Sequence, residues 1–242
     1  MSRFQIISDV HTEFHRDGGI VFCENVPVLA NTLVIAGDFC VHSHMVRNIS
    51  ILAKRFENVI YVHGNHEYYN TPRGDVNNTM AKLMKRFPNF HWLNNSSVEI
   101  DGQRFIGATM WFRDDVDNIF YKDLMNDFTV IPAFNKWVYE ENRKTQKFFE
   151  EEMKAGDVVI THHAPCELSV SKYYKGAPTN RFYICDQSKL IREKKPSFWI
   201  HGHIHEAVSY PLYDTWVESN PFGYIGLERT VAISQYYKLL GD

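Results

Sequence analysis

Seven side chains spread along the chain are of the kinds that hold divalent cations, and each follows a short apolar run. Asp9 and His11 come behind Phe4–Ser8. Side chains two apart on an extended chain share a face, so both can reach one ion if the extended geometry persists. Asp38 follows Gly37 behind Thr32–Ala36. Glycine lets the backbone turn sharply there, and a carboxylate has two oxygens with which to bridge two cations. Asn65 and His66 follow Gly64 behind Val59–Val62; an amide oxygen is a neutral, hard ligand for an ion that already has anionic partners. His162 ends the run Val158–Thr161. His203 and His205 follow Gly202 behind Phe198–Ile200, again with alternate spacing. The donor set Asp9, His11, Asp38, Asn65, His162, His203 and His205 mixes nitrogen and oxygen. That mixture suits Mn²⁺ first, with Fe or Zn²⁺ also accommodated, rather than Mg²⁺ or Ca²⁺. Seven donors exceed what one ion needs with open positions, and suit two ions about 3.5–4 Å apart. Such a pair lowers the pKa of a water, clamps a phosphoryl oxygen and offsets charge developing in the transition state. Twelve histidines are many for 242 residues, and they cluster at run ends rather than scatter.

The elements that must position these groups are short, partly β-branched apolar runs, which read as buried strands. Phe105–Ala108 adds a further strand, and Val208–Tyr210, Thr215–Glu218 and Val231–Ser234 read as a C-terminal strand meander. Helical stripes occupy Val46–Phe56, Asp75–Phe87 and Lys136–Lys154, the last stopped by Gly156. Strands alternating with helices before a strand-rich end imply an α/β sandwich. No repeat or linker divides the chain, so one domain over residues 1–242 is expected, with a loop and helix insertion around 112–154. Residues 112–135 and 166–187 read as loops over the strand ends, where specificity usually sits.

Composition narrows the classes. The chain has 44% hydrophobic and 14% aromatic residues, enough for one large core, and 26 basic against 29 acidic residues give a formal charge of −3. No basic surplus points to nucleic acid. No apolar run approaches a membrane span and no basic-then-apolar leader opens the chain, so a cytoplasmic protein without a membrane partner is expected. Cys23, Cys40, Cys166 and Cys185 form no C-x-x-C pair and read as reduced, buried thiols, with Cys40 and Cys166 near the ligand blocks.

The blocks Asp9-Val10-His11, Gly37-Asp38, Gly64-Asn65-His66-Glu67, His162 and Gly202-His203-Ile204-His205 resemble, in order, the pattern of the calcineurin-like metallophosphoesterases. Ser8–Phe14, Gly64–Tyr69, Met125–Phe128 and Thr161–Pro165 are similar to a bacterial and phage-type subgroup. The resemblance implies a β-sandwich flanked by helices, in α/β/β/α layers (metallo-dependent phosphatase-like), with metals at the strand C-terminal ends. It implies that Asp9, His11 and His205 hold one metal, Asn65, His162 and His203 the second, and Asp38 bridges. His66 would be catalytic, protonating the leaving alkoxide or stabilising phosphoryl oxygens. The expected activity is hydrolysis of a phosphate ester, monoester or diester, on a nucleotide-like or small substrate. A nuclease and a catalytically weak metal-binding interaction module are the alternatives. The chain departs from the family where an Asp shortly after the G-D pair orients the catalytic His: Phe39-Cys40-Val41-His42 has none. Glu67, His42 or a backbone carbonyl is left to tune His66.

Around these residues, His163 is expected beside the site, and His63 and His201 as hydrogen-bonded supports. His15, His42, His44 and His91 read as surface or rim, with His42 and His44 close to the site mouth. Glu13 and Asn126 are candidate supporting groups. Tyr68, Tyr69, Trp111, Tyr173, Tyr174 and Arg181 are candidate pocket walls. Asn220–Tyr224 reads as a turn with no chemical role.

Overall fold

The computed structural model describes residues 3–227 and 238–241. The expected strand at Val231–Ser234 lies outside the described residues. The first sheet contains β1 (Phe4–Ile7), β2 (Thr32–Ala36), β3 (Asn58–Val62), β4 (Phe90–Trp92) and β11 (Lys238–Leu240), in the order β11-β1-β2-β3-β4. β1 to β4 are parallel and β11 is antiparallel to β1. The second sheet contains β5 (Ser96–Ile100), β6 (Gln103–Gly107), β7 (Val158–Ile160), β8 (Phe198–His201), β9 (Val208–Leu212) and β10 (Thr215–Ser219), ordered β5-β6-β7-β8-β10-β9. Its four inner strands are parallel and both edge strands antiparallel.

The inner strands are apolar throughout because both their faces are covered. Alternate residues separate cleanly. Phe4, Ile6, Val34, Ala36, Ile60 and Val62 face the second sheet and pack with Phe105, Val158, Ile160 and Ile200. Phe4 and Phe105 meet edge to face across the gap, with ring centroids 5.3 Å apart. Leu33, Ile35, Val59 and Tyr61 point the other way, onto α1 (Ile20–Asn25), α2 (His42–Leu52) and α3 (Arg73–Arg86) through Phe22, Met45, Ile49 and Met80. On the far side, Ile106, Val159, Trp199 and Val217 pack on Phe149 of α6 (Val138–Glu152) and Leu190 and Ile191 of α7 (Ser188–Lys194). The layers therefore run α/β/β/α. The buried positions of α6, Val138, Asn142, Thr145 and Phe149, recur at one helical face.

One expectation is corrected. The C-terminal strands are not a simple meander: β10 returns beside β8, parallel to it, and leaves β9 at the edge. The reason is burial. Val217 of β10 is fully buried against the Trp199 cluster, whereas β9 is only half covered and contains Pro211, which cannot donate to a ladder. The hairpin β5–β6 was also not anticipated. Its turn is Asp101-Gly102, both at positive φ (50° and 76°), the conformation that an Asp-Gly pair favours. The segment between β6 and β7 holds α4 (Asn118–Tyr121), α5 (Asp127–Val130) and α6.

Candidate metal centre

The C-terminal ends of β1, β2, β3, β7 and β8 open on one edge of the sandwich, the usual place for a ligand in parallel sheets. All seven expected ligands meet there. Six of them form overlapping groups of donor atoms, one of which also takes in His66: Asp9, His11 and His205; His11, Asp38 and His66; Asp38, His162 and His203. His11 Nε2 and His205 Nε2 are 3.0 Å apart, and His205 Nε2 is 3.6 Å from Asp9 Oδ1. On the other side His162 Nε2 lies 3.1 Å from Asn65 Oδ1 and 3.4 Å from Asp38 Oδ2. Asp38 Oδ2 is also 3.8 Å from His11 Nε2, so its carboxylate stands between the two groups.

The extended geometry expected of the D-x-H and H-x-H pairs does not persist. Asp9, His11, Asp38, His203 and His205 all have left-handed backbone, with φ of 52°, 49°, 50°, 68° and 54°. Such residues cost about 1–2 kcal/mol each, and they persist where surrounding bonds over-determine them. Those bonds are present: Asp9 N–H donates to Gly37 O, His11 N–H to Asp38 O, and His203 N–H to Asp9 Oδ1. Tightness also explains the glycines. A Cβ on Gly202 would come 2.7 Å from Asp9 Oδ2, and one on Gly64 would strike the Asp38 carboxylate.

These residues fit divalent cations by their own chemistry. His162 donates Nδ1–H to Ala36 O at 2.9 Å, which turns Nε2 into the cluster. His203 Nε2 is buried without a hydrogen-bond partner among the described residues, beside Asp38 and His162. Burial works against charge on Asp38, but His162 and His66 beside it hold the carboxyl well below the usual range. Burial lowers the His162 pKa, yet Asp38 and Asp9 prevail and raise it to about 10. The His162 proton thus fills the positive role between the carboxylates.

His66 sits over this cluster, 3.9 Å from Asp38 Oδ2 through Nε2. Its orienting group is Glu13, not Glu67, His42 or a backbone carbonyl: Glu13 Oε1 accepts from His66 Nδ1 at 2.8 Å, and lies 3.3 Å from His11 Nδ1. Burial lowers the His66 pKa, while Asp38 and Glu13 raise it more, to about 9. Glu13 itself is destabilised by burial but held to about 2 by its two histidines. Glu67 has another task. It accepts from the backbone N–H groups of Gly64, Phe39 and Asp38 and from the Tyr61 hydroxyl, tying the ends of β2 and β3 together. Burial and the nearby Asp38 raise its pKa to about 7.

The neighbouring histidines follow expectation at His163, His63 and His201 and depart from it at His15, His42 and His44. His163 is buried behind His203 with Trp111 against it, and burial holds its pKa to about 3. His63 bonds the Tyr68 hydroxyl and His201 the Ser169 hydroxyl, as supports. His42 and His44 do not reach the site mouth: they lie on α2 and bond Thr79 and Thr12. His15 is buried, bonded to Val10 O, rather than a rim residue. All four cysteines are free and buried.

A cavity of about 600 Å³ opens over the cluster, walled by Tyr69, Tyr183, Tyr224, Phe14 and Tyr174. Tyr69 stacks on His66 at 4.1 Å and Tyr183 on His203 at 4.5 Å. Tyr68 and Trp111, expected as walls, are core residues, and Arg181 lies over Tyr121 beside a separate cavity of about 640 Å³ away from the ligands. Tyr224 comes from the turn to which no role was given. Phe222 N–H donates to Ser8 O and Gly223 N–H to Asp9 O, which brings the Tyr224 ring 4.5 Å from that of His11. Asp127, next to the expected Asn126, is buried and accepts from both Asn65 Nδ2 and Tyr69 Oη. Its place two residues into Met125–Phe128 was the available signal.

The family model of the calcineurin-like phosphoesterases matches residues 2–207. An uncharacterized protein of Acanthamoeba polyphaga mimivirus is 25% identical over 199 residues, 70% of this chain and 69% of its own length. Among solved structures, a phosphopantetheinyl hydrolase from Mycobacterium tuberculosis aligns with a TM-score of 0.72 at 15% identity, covering 91% of this chain and 89% of that one. The TT1561 protein of Thermus thermophilus aligns with a TM-score of 0.60 at 14% identity, covering 91% and 89%. The chain belongs to the calcineurin-like phosphoesterase family.

Proposed function

Starting from that membership, we propose that the chain hydrolyses a small phosphate monoester or diester with the help of two divalent cations, Mn²⁺ before Fe or Zn²⁺. The observation that carries this reading is the Asp38 carboxylate standing between two donor groups, Asp9 with His11 and His205 on one side and His162 with His203 and Asn65 on the other. When bound, the two cations supply an activated water and neutralise charge on the phosphoryl oxygens. The chain's own residues do the rest. His162 and His11 present Nε2 because their Nδ1 atoms face Ala36 O and Glu13. His66, held at Nδ1 by the Glu13 carboxylate, presents Nε2 to the cluster and donates a proton to the leaving oxygen. Tyr69 and Tyr183 are the walls against which the leaving group rests, and a nucleotide-like group suits a cavity of about 600 Å³ lined by rings.

No helix among the described residues is long and apolar enough to cross a membrane. With free, buried thiols as well, a cytoplasmic place is our reading. A panel with Mn²⁺ tests the activity: p-nitrophenyl phosphate, bis-p-nitrophenyl phosphate, cyclic nucleotides, nucleoside polyphosphates and single-stranded DNA. Turnover of at least one small ester is expected, lost by about 10²–10⁴-fold in His66→Ala with metal content kept. Full activity in that variant overturns the role of His66. Absence of turnover with every substrate and metal overturns the hydrolase reading, and turnover of DNA alone replaces it with a nuclease.

A further inference from the structure

The segment between β6 and β7 reaches into the centre at one point. Asp127, the first residue of α5, is 1% exposed. Its Oδ1 accepts from Asn65 Nδ2 at 2.9 Å and from Tyr69 Oη at 2.8 Å. A carboxylate offers acceptors only, so it takes the NH₂ end of the Asn65 amide and leaves Oδ1 of Asn65 facing His162 Nε2. A flipped amide would set two oxygens against each other and turn NH₂ groups, which ligate nothing, towards the donors. The same oxygen anchors the Tyr69 hydroxyl while the ring lies stacked on His66. Asp127 is itself held firmly. Asn70 N–H donates to Val130 O, and the Phe128 ring packs on Phe112, Phe134 and Phe182.

We propose that Asp127 is a positioning residue: it locks the Asn65 amide with its oxygen towards the second cation and fixes Tyr69 against His66. This rests on the two-cation reading of the site. It assigns to the insertion a part in building the centre, so that a carboxylate remote in sequence from every ligand decides whether one of them can ligate.

The test is calorimetric titration of Mn²⁺ into the full-length, metal-stripped protein. The wild type should show two binding events. Asp127→Leu, of similar shape, removes both acceptor oxygens and lets the Asn65 amide turn. One event should be retained and the other weakened by about 10- to 100-fold, the usual effect of losing a group that orients a ligand. Asn65→Ala weakens the same event, and Asp127→Leu added to it should weaken it no further, because Asp127 acts through Asn65. Tyr69→Phe, which keeps the ring, should keep both events. Two events of wild-type affinity in Asp127→Leu overturn the proposal, as do additive effects in the double variant, which would mark a general loosening of the fold. Fewer than two events in the wild type overturn the two-cation reading itself, and with it the role of Asp127, an outcome separate from an unaffected variant.

Discussion

Replacing Glu13 by Gln should shift the pH profile of the reaction while leaving the cations bound. Glu13 Oε1 accepts from His66 Nδ1 at 2.8 Å, a charge-assisted bond, and is 3.3 Å from His11 Nδ1. Bonds of this kind are worth about 1.5–3 kcal/mol. One pKa unit corresponds to about 1.4 kcal/mol, so removing the charge should lower the His66 pKa by roughly 1–2 units. The group acts as the protonated donor. Activity therefore falls as pH rises through its pKa, and in Glu13→Gln the alkaline limb of kcat/KM moves to lower pH by that amount. The glutamine oxygen still accepts from Nδ1, so orientation is largely kept. Glu13→Ala loses orientation as well, and should lower kcat by about 10- to 100-fold. The assay is kcat/KM against pH on an aryl phosphate, with metal content measured on the same samples. An unmoved alkaline limb with unchanged kcat refutes the pairing. A loss of activity that only tracks lost metal shows instead that Glu13 serves His11.

Two further predictions concern protons. His162, raised to about 10 beside Asp38, must lose its proton before Nε2 can ligate. Mn²⁺ binding should release protons at neutral pH and tighten as pH rises towards 10, measured by calorimetry in buffers of differing ionisation enthalpy; uptake independent of pH contradicts it. His63 is 1% exposed, and burial depresses its pKa to about 3. The unfolded chain takes up this proton as pH falls below about 6.5 whereas the folded chain does not until about 3. Stability from this residue is therefore present above pH 6.5 and is lost as pH falls between those values, by up to about 1.4 kcal/mol per pH unit. Urea unfolding of metal-free His63→Phe between pH 6 and 4 should show a slope shallower by that amount; an unchanged slope sinks the assignment.

Much of this architecture can be read from the chain itself. Runs such as Thr32–Ala36 and Val158–Thr161 are apolar on both faces, which marks inner parallel strands, and the ligands stand directly behind them. What escaped reading depends on neighbours rather than on local pattern. β4 is three residues long, and β9 and β10 exchange places because Val217 finds the Trp199 cluster. Asp127, at the start of α5, and Tyr224, in a turn, are single residues with no period to single them out, and Glu13 is legible as a supporting group but not as the partner of His66. Glu13 meets His66 where the chain has turned left-handed at His11. Tyr224 reaches the rings of His11 and His205 because residues 222 and 223 hydrogen-bond behind Ser8 and Asp9.

The most direct measurement is a crystal structure of the Mn²⁺-reconstituted protein with anomalous scattering collected at the manganese edge. Two peaks should appear, one among Asp9, His11 and His205 and one among Asn65, His162 and His203, with the Asp38 carboxylate touching both. A single peak at full loading, or Asp38 ligating neither ion, contradicts the account.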